Sequence, residues 1–111
     1  MDRSLQRPSF VVPQRRRISD TLPKVEDEIE SETRFPIDAD VVFLQPAGLT
    51  GVALEASRTG MRVLVDSPLE LGQRCVAVVH LPSGEETHER AEVVSIERGQ
   101  NGWIADLVFA Q

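Results

Sequence analysis

The chain has 111 residues, a formal net charge of −6 and one cysteine, Cys75. That length holds one small domain and little else, and a lone thiol excludes an internal disulfide and points to a reducing compartment. The acidic balance argues against a DNA- or RNA-binding protein, in which clustered basic charge supplies most of the affinity.

No apolar run approaches the roughly 18 residues that read as a membrane helix, and no signal-peptide core follows the first basic residues. The expectation is a cytoplasmic chain with no membrane insertion. The charge is unevenly spread: residues 1–20 carry +3, residues 21–35 carry −3, and the remainder carries −6.

Residues 1–20 have few apolar side chains beyond Phe10, Val11 and Val12, together with the basic block Arg15-Arg16-Arg17. Such a segment buries too little surface to offset its ordering entropy, so it reads as a flexible arm with no fixed contacts. The basic block reads first as a solvated charge run. Its functional alternative is to fold back onto an anionic ligand, an acidic partner or a membrane surface.

The next residues are acidic, with Leu22, Val25 and Ile29 at spacings of three and four. They suit a short helix over 22–31, capped by Asp20 or Thr21, or a linker with transient helix. Residues 1–33 are thus an arm and linker, and the domain proper spans 34–111.

From Phe35 the pattern changes to period two. Ile37, Ala39, Val41 and Phe43 alternate with more polar neighbours, and Pro46-Ala47-Gly48 then turns the chain. Val52, Leu54 and Ala56 form one alternating set, and Met61, Val63 and Val65 another. Between them lies Glu55-Ala56-Ser57-Arg58-Thr59-Gly60, where Gly60 is expected to take a positive φ at the corner. A corner of this kind presents backbone N–H groups with Ser57, Arg58 and Thr59 at one end of a sheet. It suits a small anion, or it is a plain polar turn.

A loop from Ser67 to Gly72 follows, then strands over 74–81, 89–96 and 103–110, separated by turns at Pro82-Ser83-Gly84 and at 98–102. Six short, evenly spaced strands with no helix between them make an all-β, antiparallel barrel or sandwich.

No enzyme motif is present. The chain has no G-x-S-x-G elbow, no glycine-rich phosphate loop leading a helix, and no CxxC or HExxH. His80 and His88 flank the Pro82–Gly84 turn and read as surface histidines rather than metal ligands. Cys75 reads as a small buried hydrophobe, and Trp103 as a packing residue. No cofactor is called for.

The segment Glu55–Gly60 resembles the D/N-x-S-x-x-G signature of PilZ domains, bacterial receptors for cyclic di-GMP. The strand rhythm after it and Arg34-Phe35-Pro36-Ile37 before it fit the same family over about residues 30–111. The resemblance implies a six-stranded antiparallel barrel and, as a ligand, cyclic di-GMP. In the family an R-x-x-x-R pair just before the first strand grips guanine and phosphate, because the planar guanidinium fork pairs bidentately with both. Here Arg34 matches the second arginine, but Glu30 stands where the first belongs, and Glu55 replaces the motif's Asp or Asn. Arg3 and Arg7 share the spacing but lie far upstream, a chance match.

Arg34, Glu55, Ser57, Arg58 and Gly60 are therefore the candidate ligand residues, with Arg15, Arg16 and Arg17 as substitutes from the arm. Loss of one bidentate arginine costs about 1–3 kcal/mol. Two readings follow from the resemblance. The favoured one is a non-enzymatic adaptor that binds a protein of a motility or type IV pilus system, with cyclic di-GMP binding weak or lost. The other is a genuine cyclic di-GMP receptor.

Overall fold

The computed structural model describes residues 17–22 and 33–110. Arg15, Arg16, Glu30 and most of the expected 22–31 helix lie outside the described residues. The strands are β1 (Phe35–Gln45), β2 (Thr50–Ala56), β3 (Gly60–Val65), β4 (Arg74–His80), β5 (Glu86–Gly99) and β6 (Gly102–Phe109). They close into an antiparallel barrel in the order β1-β2-β3-β6-β5-β4. The barrel is two three-stranded meanders, β1-β2-β3 and β4-β5-β6, joined along a β3–β6 seam and a β1–β4 seam. Closure gives every strand a partner on both sides, with the start of β5 running past the end of β6.

Period-two patterning explains most of the core. Ala39, Val41 and Phe43 of β1, Met61, Val63 and Val65 of β3, and Ala105, Leu107 and Phe109 of β6 all point inward and are buried. Strand β2 departs from the expected phase: Ala53 and Ala56 are fully buried, whereas Val52 and Leu54 are only half-buried. The β2–β3 register shifts between Ala53 and Glu55, and the irregularity resets which residues face inward. A bulge of this kind carries no period-two signature, so alternation read straight through it assigns the wrong face.

Residues 17–22 correct the expectation that the first twenty residues make no fixed contacts. Ile18–Asp20 form one turn of 3₁₀ helix, and Ile18 is fully buried. The turn satisfies its own polar groups. The Arg17 N–H donates to the Asp20 carboxylate at 3.1 Å, and the Thr21 hydroxyl donates to the Ile18 carbonyl at 2.8 Å.

The segment fits where β5 outruns β6. The last pair between them is Ala91 with Phe109, so Thr87 and Glu89 face inward beyond the end of β6. Ile18 fills that place, and Leu22, Ile37 and Leu81 pack against the same core. Burial of an isoleucine side chain stabilises by about 1.5–3 kcal/mol, and hydrogen bonds from Arg17 and Ile18 to Glu89 add to it.

Candidate functional site

The corner between β2 and β3 is held by its own hydrogen bonds. The Ser57 N–H donates to the Gly60 carbonyl at 2.8 Å, and the Thr59 N–H donates to Ser57 Oγ at 3.2 Å. Ser57 Oγ also lies 3.3 Å from Thr59 Oγ1, and the Ser57 side chain is buried. The Phe109 N–H donates to the Thr59 carbonyl at 2.8 Å, which ties the corner to the end of β6.

Gly60 is glycine for a reason other than the one expected. Its φ is not positive, and it is the first residue of β3, paired with Val108. A Cβ there would stand 2.2 Å from the Leu107 carbonyl oxygen, closer than any side chain tolerates. Close backbone approach excludes a side chain at this position.

Among the other candidates, the structure brings Arg34 to the corner. Its Nη1 lies 3.9 Å from Glu55 Oε1, with both side chains about two-fifths exposed (42% and 40%). The cross-strand pairing of Phe35 with Ala56 and Pro36 with Glu55 sets that proximity. A pair this open contributes little to stability, on the order of 0–1 kcal/mol, but it places a carboxylate against one of the candidate ligand arginines. Arg58 is exposed at the tip of the corner.

Arg17 has a role that sequence reasoning missed. Its Nε donates to Glu89 Oε1 at 2.7 Å, and the Ile18 N–H donates to Glu89 Oε2 at 2.5 Å. The Glu89 side chain is completely buried, so both carboxylate oxygens are satisfied from the 17–22 segment. The Arg17 guanidinium also lies over the Phe109 ring, 5.7 Å from its centroid. The signal for this was present in the sequence. Thr87, Glu89, Ala91 and Val93 share the inward phase of β5, and a carboxylate at such a position needs a cation or N–H donors from elsewhere.

Elsewhere Arg62 and Asp106 form a two-pronged pair across the β3–β6 seam, at 2.9 and 3.3 Å, and the contact raises the Arg62 pKa further. Burial pushes the Cys75 thiol up from its ordinary value. Trp103 packs against the core under Arg98, whose guanidinium lies 5.2 Å from the ring centroid. The Glu86 carboxylate sits between His80 (3.3 Å) and His88 (3.8 Å) at the β4–β5 hairpin. Among the described residues no group of three or more His, Cys, Asp or Glu is placed to hold a metal ion, and no helix is long and apolar enough to cross a membrane.

No family model and no curated protein matches the sequence. Among solved structures, the chain is similar to the PilZ domain of YcgR from Escherichia coli, determined with cyclic di-GMP. The TM-score is 0.58 at 19% sequence identity, over 71% of this chain and 76% of that one. The closed six-stranded antiparallel barrel described above is the PilZ-domain fold.

Proposed function

We propose that this protein is a non-enzymatic PilZ-like signalling module that works as a protein-interaction adaptor in bacterial motility or type IV pilus control, with cyclic di-GMP binding weak or lost. The observation that carries the reading is the engagement of its arginines. Arg17 is held by the buried Glu89, and Arg34, the match to the family's second ligand arginine, faces Glu55 at the corner. Ser57 and Gly60, the retained motif residues, have structural roles that need no ligand: one locks the turn and the other admits the β6 backbone.

Calorimetric titration of the full chain with cyclic di-GMP tests the nucleotide half of the proposal. No binding heat at tens of micromolar protein is expected, and saturable micromolar binding abolished by Arg34→Ala would overturn it. Twitching and swimming assays of cells lacking the protein test the other half. Unchanged motility in both assays removes the assigned pathway.

One observation favours the receptor reading as the alternative. Arg17 stacks on Phe109, whose N–H donates to Thr59, so Arg17 itself reaches the neighbourhood of the corner. In that reading Arg15, Arg16 and Arg17 join Arg34, Glu55, Ser57, Arg58 and Gly60 around cyclic di-GMP. Arginine-dependent binding that weakens steeply with salt would establish it.

A further inference from the structure

Seven arginines lie among the described residues, and five are engaged: Arg17 with Glu89, Arg34 with Glu55, Arg62 with Asp106, Arg98 with Trp103, and Arg58 in contacts of its own. Arg74 and Arg90 have neither an ion pair nor a ring contact among the described residues. Both line one outer groove of about 620 Å³ that crosses β4, β5 and β6. Its aliphatic lining is Val76, Val94 and Val108, of which Val94 is 50% and Val108 44% exposed. Val94 stands out because the β5–β6 register shifts between Val93 and Ser95, leaving it without a cross-strand partner.

We propose that this groove is a docking surface for an extended peptide segment of a partner protein that alternates acidic and aliphatic anchors. The proposal rests on the adaptor reading and names its surface. Charge complementarity selects the occupant: two guanidinium groups without an ion pair among the described residues attract carboxylates, and the valines beside them take aliphatic side chains. Glu92, opposite Arg74 and Val108 in the ladder, accepts N–H groups from the peptide backbone.

An extended chain fits by spacing. Arg90, Glu92 and Val94 repeat every second residue along β5, the same repeat of about 7 Å at which a strand-like peptide presents one face. A nucleotide fits poorly, because the one aromatic ring lining the groove, Phe109, is 3% exposed and offers no face on which a base stacks.

The test uses the full chain with ¹³C-labelled valine methyls and the probe peptide Asp-Ser-Leu-Ser-Asp-Ser-Leu, alongside the same peptide with Lys for Asp. The acidic peptide is expected to shift the Val76, Val94 and Val108 methyls, and the lysine version to leave them unmoved. The double variant R74E/R90E should weaken the acidic peptide at least tenfold while keeping the parent's melting temperature. If that variant fails to fold, Arg90→Gln reads the same contact with less perturbation. Shifts spread over other valines, equal response to both peptides, or full binding by the arginine variants overturns the proposal. Methyl shifts in the groove on addition of cyclic di-GMP overturn the choice of a peptide.

The two readings fail separately. Cyclic di-GMP moving the Ser57 and Thr59 amides sinks the adaptor reading alone. Silence toward both probes sinks the groove alone.

Discussion

The Arg17 guanidinium meets the Glu89 carboxylate at 2.7 Å, across 72 residues of sequence, and does so at the one inward position of β5 that carries a charge. The pair fastens a segment that looks unstructured by composition to the open end of the barrel. Arg17→Ala leaves Glu89 buried with only the Ile18 N–H as partner. Because the Arg17 side chain is 42% exposed, the full cost of an unpaired buried charge is discounted for solvent screening. A loss of about 1–2 kcal/mol in urea-denaturation stability is expected. Ile18→Ala should cost about 2–4 kcal/mol, since it empties a fully buried site. Equal stability of both variants with the parent would show that residues 17–22 are not docked.

Gly60 and Gly84 are sensitive to substitution for different reasons. At Gly84 the φ of +97° strains any L-residue, but nothing lies within 4 Å of the added Cβ. Gly84→Ala should cost about 1–2 kcal/mol. At Gly60 the obstacle is the Leu107 backbone across the β3–β6 seam, so Gly60→Ala should exceed it, at about 3 kcal/mol or more. Thermal melts of the two variants side by side check the order, and a milder effect at Gly60 would contradict the close approach.

Thr87 faces inward with its hydroxyl buried and, among the described residues, without a hydrogen-bond partner. Thr87→Val keeps the shape and removes the unsatisfied group. The substitution should be neutral or stabilise by up to about 1 kcal/mol, where an ordinary core change destabilises. A clear fall in the denaturation midpoint would reveal a partner for that hydroxyl.

Cys75 links stability to alkaline pH. Its thiol is raised by burial in the folded chain, so below the unfolded value, about 8.5, both states hold the proton. As pH rises past that value the unfolded chain alone ionises, and stability declines until the folded thiol titrates as well. Cys75→Ala lacks this component. The stability difference between parent and variant should therefore shift against the parent between about pH 8 and pH 10, measured by urea titration at each pH. A difference constant across that window would show the thiol to be ordinary.

Much of the barrel was legible because its strands obey a two-residue period. Met61, Val63 and Val65 or Ala39, Val41 and Phe43 announce their inward face directly. The phase of β2 was not legible, since the irregularity before Glu55 is a property of pairing between strands rather than of either strand's composition. At the corner, the identities of Ser57 and Gly60 were readable but their reasons were not. The obstacle at Gly60 is the carbonyl of Leu107, nearly fifty residues later in the chain. Docking of Arg17–Leu22 was hidden from its own composition: a weakly apolar segment is held by one isoleucine and a distant carboxylate, and the one clue, a carboxylate in the inward phase of β5, does not say which segment meets it.

The two-meander construction has a consequence for how the chain reaches its fold. Each meander closes through near neighbours in sequence, whereas the β3–β6 and β1–β4 seams join residues far apart and need both halves in place. Besides those seams, the chain connects the halves only by the segment between Val65 and Arg74, the natural place for a hinge. Two copies that open at this hinge can exchange halves and rebuild both seams between chains, the same contacts in a dimer of twice the mass. Shortening the Asp66–Gln73 connection by three residues should favour that exchanged dimer over the monomer in size-exclusion chromatography at high protein concentration, and a shortened chain that stays wholly monomeric would show that the hinge does not open.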